Sequence, residues 1–170
     1  MPFEETGFDA SYVVAGSKYT FPLDRKSIIK DSVLLLKNVL IENITDPQAS
    51  NRTVNERFVT PEWPDLPVTY PLITVEQTGF ESEKVGMQSS NTLNNLSFEI
   101  NVWSKNNSQK DSLTGSIFNV LEQKSELMSL SGLFDLRFVS MINLDETGPQ
   151  GIHRKMMEVQ YTWPSHTEVT

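Results

Sequence analysis

The side chains able to do acid–base, metal or nucleophilic chemistry are few and dispersed. Two histidines, His153 and His166, are the chain's only imidazoles. His153 stands beside Arg154 and Lys155, and His166 lies near the C-terminus. A two-histidine metal site needs carboxylates close by; the expectation is two solvent-exposed histidines and no metal. The chain has no Cys, which removes thiolate zinc sites, iron–sulfur clusters, thiol nucleophiles and disulfides. His-Glu-x-x-His, Walker and dinucleotide-type glycine motifs do not occur, nor does a Gly-x-Ser-x-Gly elbow. Asp145 and Glu146 are adjacent within a turn-type segment. Paired catalytic carboxylates must oppose each other across a substrate, so these two read as a solvated loop. Asp111 and Glu122 read as a cap and an exposed-face residue of one helix. Asn91, Asn94, Asn95, Asn106 and Asn107 accept turn conformations. The Asn-x-Thr matches at Asn43 and Asn51 are background without a secretion signal. Neither an enzyme nor a cofactor is expected.

Charge narrows the partners. Fourteen Lys and Arg stand against twenty-two Asp and Glu, a net charge of −8 over 170 residues. Phosphate binding needs a basic footprint, and the basic residues here come only in short groups, Arg25-Lys26 and Arg154-Lys155. The longest apolar run is Val33 to Leu36, whereas a membrane span needs about 20 apolar residues. The opening Met-Pro-Phe-Glu-Glu is acidic where a secretion signal is basic. A soluble protein of intracellular type is expected, long enough to bury about 70% of its unfolded surface without disulfides or metals.

The elements that would position any site follow from period and punctuation. Residues 1–23 are an arm: Phe3, Phe8, Tyr12, Tyr19 and Phe21 among Gly, Ser and acids, with a short strand expected at Ser11–Ala15. Asp24 is placed to cap a helix of about 20 residues whose stripe is Ile29, Val33, Leu36 and Leu40, widened by Ile28, Leu35 and Val39. Thr45-Asp46-Pro47 ends it. Residues 46–71 hold five prolines and read as a long extended connection. That length requires either a short edge strand near Arg57–Thr60 or packing against another subunit. Trp63, in its middle, reads as a local anchor ahead of a binding hot spot.

Leu72, Ile73 and Val75 predict a short strand, and Gly79 to Gln88 a turn or hairpin tip. Leu96, Phe98, Ile100 and Val102 alternate with Ser97, Glu99, Asn101 and Trp103, a half-buried strand with one wet or partner-facing side. Ser108 to Asp111 fits a capping box. Leu113, Ile117, Val120 and Leu121, with Phe118 beside them, predict a second helix to about Met128. A hairpin follows. Phe134, Leu136 and Phe138 mark one strand; Met157, Val159, Tyr161 and Trp163 mark the other, ended by Pro164. Residues 164–170 read as a frayed tail. The expected fold class is α+β: a mostly antiparallel sheet of about four or five strands with two amphipathic helices packed on one face. The expected domain runs over residues 24–163.

From about residue 24 to 163 this order resembles the tail-terminator and tail-completion (neck) proteins of long-tailed bacteriophages and related archaeal tailed viruses. The points of likeness are the opening helix Ser27 to Ile44 and the Pro-flanked strand Tyr70-Pro71-Leu72-Ile73-Thr74-Val75-Glu76. The strand Leu96 to Ser104 ending in Trp-Ser, the helix with Leu113, Ile117, Val120 and Leu121, and the closing strand Gly151 to Trp163 complete the pattern. The arm at 1–22 and the loop at 46–71 depart from it. The resemblance implies a virion protein without catalysis or cofactor. It would form a ring of six copies that terminates the tail tube at the tail–neck junction and docks the neck or connector protein, with assembly in the host cytoplasm. DNA would pass through the channel without sequence-specific binding, and no membrane is involved. Expected contact residues are Phe3, Phe8 and Tyr12 on the arm, Trp63 on the loop, and Glu99, Asn101 and Trp103 on the polar side of the central strand. The alternatives are another head–tail joining or head-completion protein, or a cellular adaptor whose wet sheet face takes a peptide or ligand.

Overall fold

The computed structural model describes residues 11–14, 17–20, 26–65, 68–87, 90–144 and 151–166. Near the N-terminus, β1 (Ser11–Val14) and β2 (Ser17–Thr20) pair antiparallel as a two-stranded sheet of their own. The first strand agrees with the Tyr12-Val13-Val14 signal. The second, Ser-Lys-Tyr-Thr, has little apolar content and gives no such signal.

Helix α1 (Ile28–Asn43) turns Ile28, Leu35, Leu36, Val39 and Leu40 into the core. The stripe is rotated from the expected one, because Ile29 is 53% exposed and Ile28 takes the inward place. Ser32 tolerates burial within this stripe by donating its hydroxyl to the Ile29 carbonyl. The cap position is Ser27; Asp24 lies outside the described residues. The Ser27 hydroxyl donates to the Asp31 carboxylate at 2.5 Å, which places an acid in the first turn where the helix dipole favours it. Ile44 leaves the helix in extended conformation ahead of Pro47.

The two ends of the Pro-rich connection are fastened by Arg52. Arg52 pairs with Asp46 at 2.6 Å and donates to the carbonyls of Thr69 and Pro71, so both ends of the segment meet at a single guanidinium. Within it, β3 (Val59–Thr60) pairs parallel with the start of β4 (Leu72–Lys84), which is the short edge strand expected there. Phe58 and Val59 enter the core.

Strand β4 runs antiparallel to β5 (Asn91–Ser104) as far as Lys84↔Thr92. The expectation of a turn from Gly79 to Gln88 is therefore corrected: Gly79–Lys84 is strand. The segment carries Glu, Ser and Lys on exposed positions, so no apolar alternation marks it. Backbone pairing to β5 holds it instead. The register shifts between Gln77 and Gly79, and a side-chain carbon at Gly79 would lie 3.3 Å from Ser97 Cβ.

Helix α2 (Asn107–Gln123) is capped by Asn106, whose side chain accepts the Gln109 N–H at 3.2 Å. Ser108 lies inside the first turn, two residues past the cap, and the expected capping box is not formed: the Gln109 side chain accepts from Ser104, and the Asn106 N–H goes to the Ser104 hydroxyl. Lys124 separates α2 from a short α3 (Ser125–Leu130), where one continuous helix to Met128 was expected. Gly132, at φ +94°, turns the chain out of α3.

Strands β6 (Phe134–Leu144) and β7 (His153–His166) form the expected antiparallel hairpin, giving the sheet order β3-β4-β5-β7-β6. Strand β7 does not stop at Pro164, which is paired with Leu93. Beyond Thr162 the β6 side of β7 has no partner among the described residues. The strand is an edge there, and an edge tolerates the missing N–H of proline.

The core lies between one sheet face and the helices. Ile73 and Val75 of β4, Leu96, Phe98, Ile100 and Val102 of β5, and Met157, Val159, Tyr161 and Trp163 of β7 are buried together. Helix α1 lies over β3 and β4, and α2 over β5 and β7, with the two helices in contact. Each such large side chain contributes about 1.5–3 kcal/mol on burial. Phe118 of α2 meets Phe138 of β6 at 4.3 Å between ring centroids, extending the core toward the last strand. The fold is α+β, a five-stranded mostly antiparallel sheet with helices on one face.

Candidate functional site

Period-two alternation that buries Phe98, Ile100 and Val102 turns Ser97, Glu99, Asn101 and Trp103 to the opposite face of the sheet. The ladders place their neighbours: Thr74 opposite Asn101, and Arg154 opposite Trp103. A polar constellation results. Arg154 Nε donates to Asn101 Oδ1 at 2.9 Å, and its terminal nitrogen donates to Glu99 Oε1 at 3.1 Å. Asn101 Nδ2 donates to the same Glu99 oxygen at 2.7 Å. The Arg154 guanidinium carbon lies 4.6 Å from the Trp103 ring centroid. The loop brings Trp63 edge-on to Trp103, with centroids 4.9 Å apart. Asn101 is buried, and Trp63 remains 48% exposed.

Four of the expected contact residues, Trp63, Glu99, Asn101 and Trp103, therefore share this open face. Phe3 and Phe8 lie outside the described residues, and Tyr12 lies in β1, paired with Tyr19. Arg154 organises the group and was not among the expected residues. Its signal was the closing strand itself: a basic residue on the non-core phase of Met157, Val159 and Tyr161.

The same face carries a like-charge row. Glu76 is directly opposite Glu99, and Glu99 directly opposite Glu158. Like charges at such positions are unfavourable. Arg154 holds Glu99, and Ser140 donates to Glu158 at 3.4 Å. Only ladder register reveals this row, since the three residues are far apart in sequence.

The remaining titratable groups fasten elements. Lys110 is buried, donating to Asn107 and Asn143 at 2.6 and 3.1 Å. Lys155 bonds the Asp111 carboxylate at 2.9 Å and holds its pKa below the ordinary value, with Lys110 adding to the effect. Glu56 accepts the Thr53 N–H and the Thr69 hydroxyl, and the first of these leads in lowering its pKa. His153 is half-buried at the start of β7. Among the described residues, no group of three or more His, Cys, Asp or Glu could hold a metal ion. A cavity of about 70 Å³ lies between Arg52, Glu56, Thr60 and Leu72. A wide groove of about 740 Å³ runs between the end of α1 and the following loop. No described helix is long and apolar enough to cross a membrane.

Neither a protein-family model nor a curated protein matches the chain. Among solved structures, it is similar to a chain described as belonging to the virion of a native gene transfer agent (GTA) particle. That similarity has a TM-score of 0.46 and 10% identity, and covers 64% of this chain and 79% of the other. A likeness of that size carries no conclusion about what this chain does.

Proposed function

We propose that the chain is a structural subunit of a tailed-virus particle that acts as a ring of copies at the tail–neck junction, ending the tail tube and docking the neck. The order of elements from residue 24 to 163, with its resemblance to tail-terminator and tail-completion proteins, supports this reading. The observation that carries it is the open sheet face. Trp and Arg are the residue types that concentrate interface energy. Here Arg154 is stacked on Trp103 and bonded to Glu99 and Asn101, and Trp63 is left partly exposed, on a face that no described helix covers. Prior ordering of these long side chains lowers the entropy lost when a partner seats on them. The partners in this reading are copies of the chain, the tail tube protein and the neck protein. DNA passes through the ring without adhering, because a net charge of −8 on each copy repels phosphate.

Imaging the purified full-length protein, alone and mixed with tail tubes, tests the reading. Rings seated on tube ends support it. Rings that bind only the head connector place the chain with the head-completion proteins. A persistent monomer that takes a peptide or small ligand on the open face assigns it to the adaptor class.

A further inference from the structure

The five-stranded sheet has two long free edges, and they differ. Beyond Thr74, the outer side of β4 has no partner strand among the described residues, and that stretch carries Glu76, Glu81, Glu83 and Lys84. Charges on an edge discourage pairing. The outer side of β6 is also unpaired among the described residues, and from Phe138 to Leu144 it carries no charge at all. Phe134, Val139, Met141 and Ile142 of this strand are each 43–52% exposed. Met141 is in register with buried Met157, on the core side. Phe134 and Ile142 are in register with Thr162 and Met156, on the open side. Apolar side chains are thus exposed on both faces at this one edge. A helix could cover one face only, whereas another strand covers both and satisfies the edge backbone as well.

The hairpin of β1 and β2 has the matching composition. A two-stranded sheet alone is marginal in water. In sequence, Tyr12, Val13 and Val14 are apolar at consecutive positions, as suits a strand flanked on both sides, while Ser17-Lys18-Tyr19-Thr20 is polar and carries the charge that protects a new outer edge. The eight residues from Thr20 to Ile28 reach at most about 26–29 Å. They lead to α1, which lies over β3 and β4, while β6 closes the opposite side of the sheet. A contact between two different patches on opposite sides passes from copy to copy, and gives a ring where the rotation between copies closes.

We infer that the N-terminal hairpin of one copy adds to the β6 edge of the next, with β1 against residues 138–144 and β2 as the new outer strand. This deepens the ring reading and rests on it. The absence of native Cys makes the test clean. Full-length chains carrying Tyr12→Cys, Val13→Cys or Val14→Cys are mixed with chains carrying Ile142→Cys and oxidised mildly. The expected result is a disulfide-linked pair of unlike chains for at least one of the three positions. A chain carrying both cysteines should give a ladder of linked oligomers; closure within one monomer overturns the inference. Met141→Lys with Ile142→Lys, both at exposed sites, should abolish association with the far-ultraviolet circular dichroism unchanged, and unaltered association overturns it. Rings without any cross-link overturn this inference alone. The absence of both rings and cross-links overturns it together with the reading beneath it.

Discussion

Arg154 sits with its guanidinium carbon 4.6 Å from the Trp103 ring centroid while its nitrogens donate to Asn101 and Glu99. One side chain thereby couples the closing strand to the central one and holds the indole against which Trp63 packs. The arrangement needs a planar group that can stack and make divergent hydrogen bonds at once, which lysine cannot supply.

Arg154→Met should therefore lower stability by about 1–2 kcal/mol, the scale of charged hydrogen bonds lost at a partly buried site. Arg154→Lys should recover less than half of that. Urea denaturation followed by tryptophan fluorescence reads both effects, and a lysine variant as stable as the parent would contradict the stacking role.

The row of Glu76, Glu99 and Glu158 gives two substitutions of opposite sign. Glu158→Gln removes one like-charge opposition and leaves the Arg154 bonds intact, so it should stabilise by about 0.2–1 kcal/mol. Glu99→Gln takes the charge from the residue that Arg154 holds, and should destabilise. Thermal melts at low salt are the measurement, and the gain from Glu158→Gln should shrink as salt is added.

Tyr161 is buried, its hydroxyl has no hydrogen-bond partner among the described residues, and burial pushes its pKa well above the ordinary value. Tyr161→Phe removes a desolvated polar group and should be neutral or stabilising by about 1 kcal/mol. The sign with pH follows. Above about pH 10 the unfolded tyrosine releases its proton while the folded one keeps it, so this residue makes stability fall as pH rises. Alkaline unfolding of the parent should set in at lower pH than that of the Tyr161→Phe variant.

Asp111 is held below its ordinary pKa first by its hydrogen bond from Lys155. A depressed carboxylate contributes stability above the unfolded pKa and loses it as pH falls through the folded one. Lys155→Met should raise the Asp111 pKa toward the unperturbed value, as read by carbon-13 titration of the carboxyl. An unchanged value would show that the contact is not formed in solution.

How much of this was legible in the sequence depends on where burial is one-sided. Strands β5 and β7 could be read because each has one buried and one polar face, which writes a clean alternation. The second half of β4 could not, since Gln77 to Lys84 have little burial on either face and leave only backbone pairing to define a strand. Pro164 misleads for a related reason: its effect depends on whether a neighbour needs its N–H, and that is a property of the β6 register. At the candidate site, Trp103, Glu99 and Asn101 fall on one face by spacing alone. Arg154 and the glutamate row become visible only when three distant segments are laid side by side.

The central claim is that the molecule works by assembling with its own copies. Images of the purified full-length protein with isolated tail tubes test it most directly. The account predicts closed rings seated at the tube end, of about six copies as the resemblance to tail-terminator proteins implies. A particle that stays monomeric at every concentration and leaves tube ends bare would contradict it.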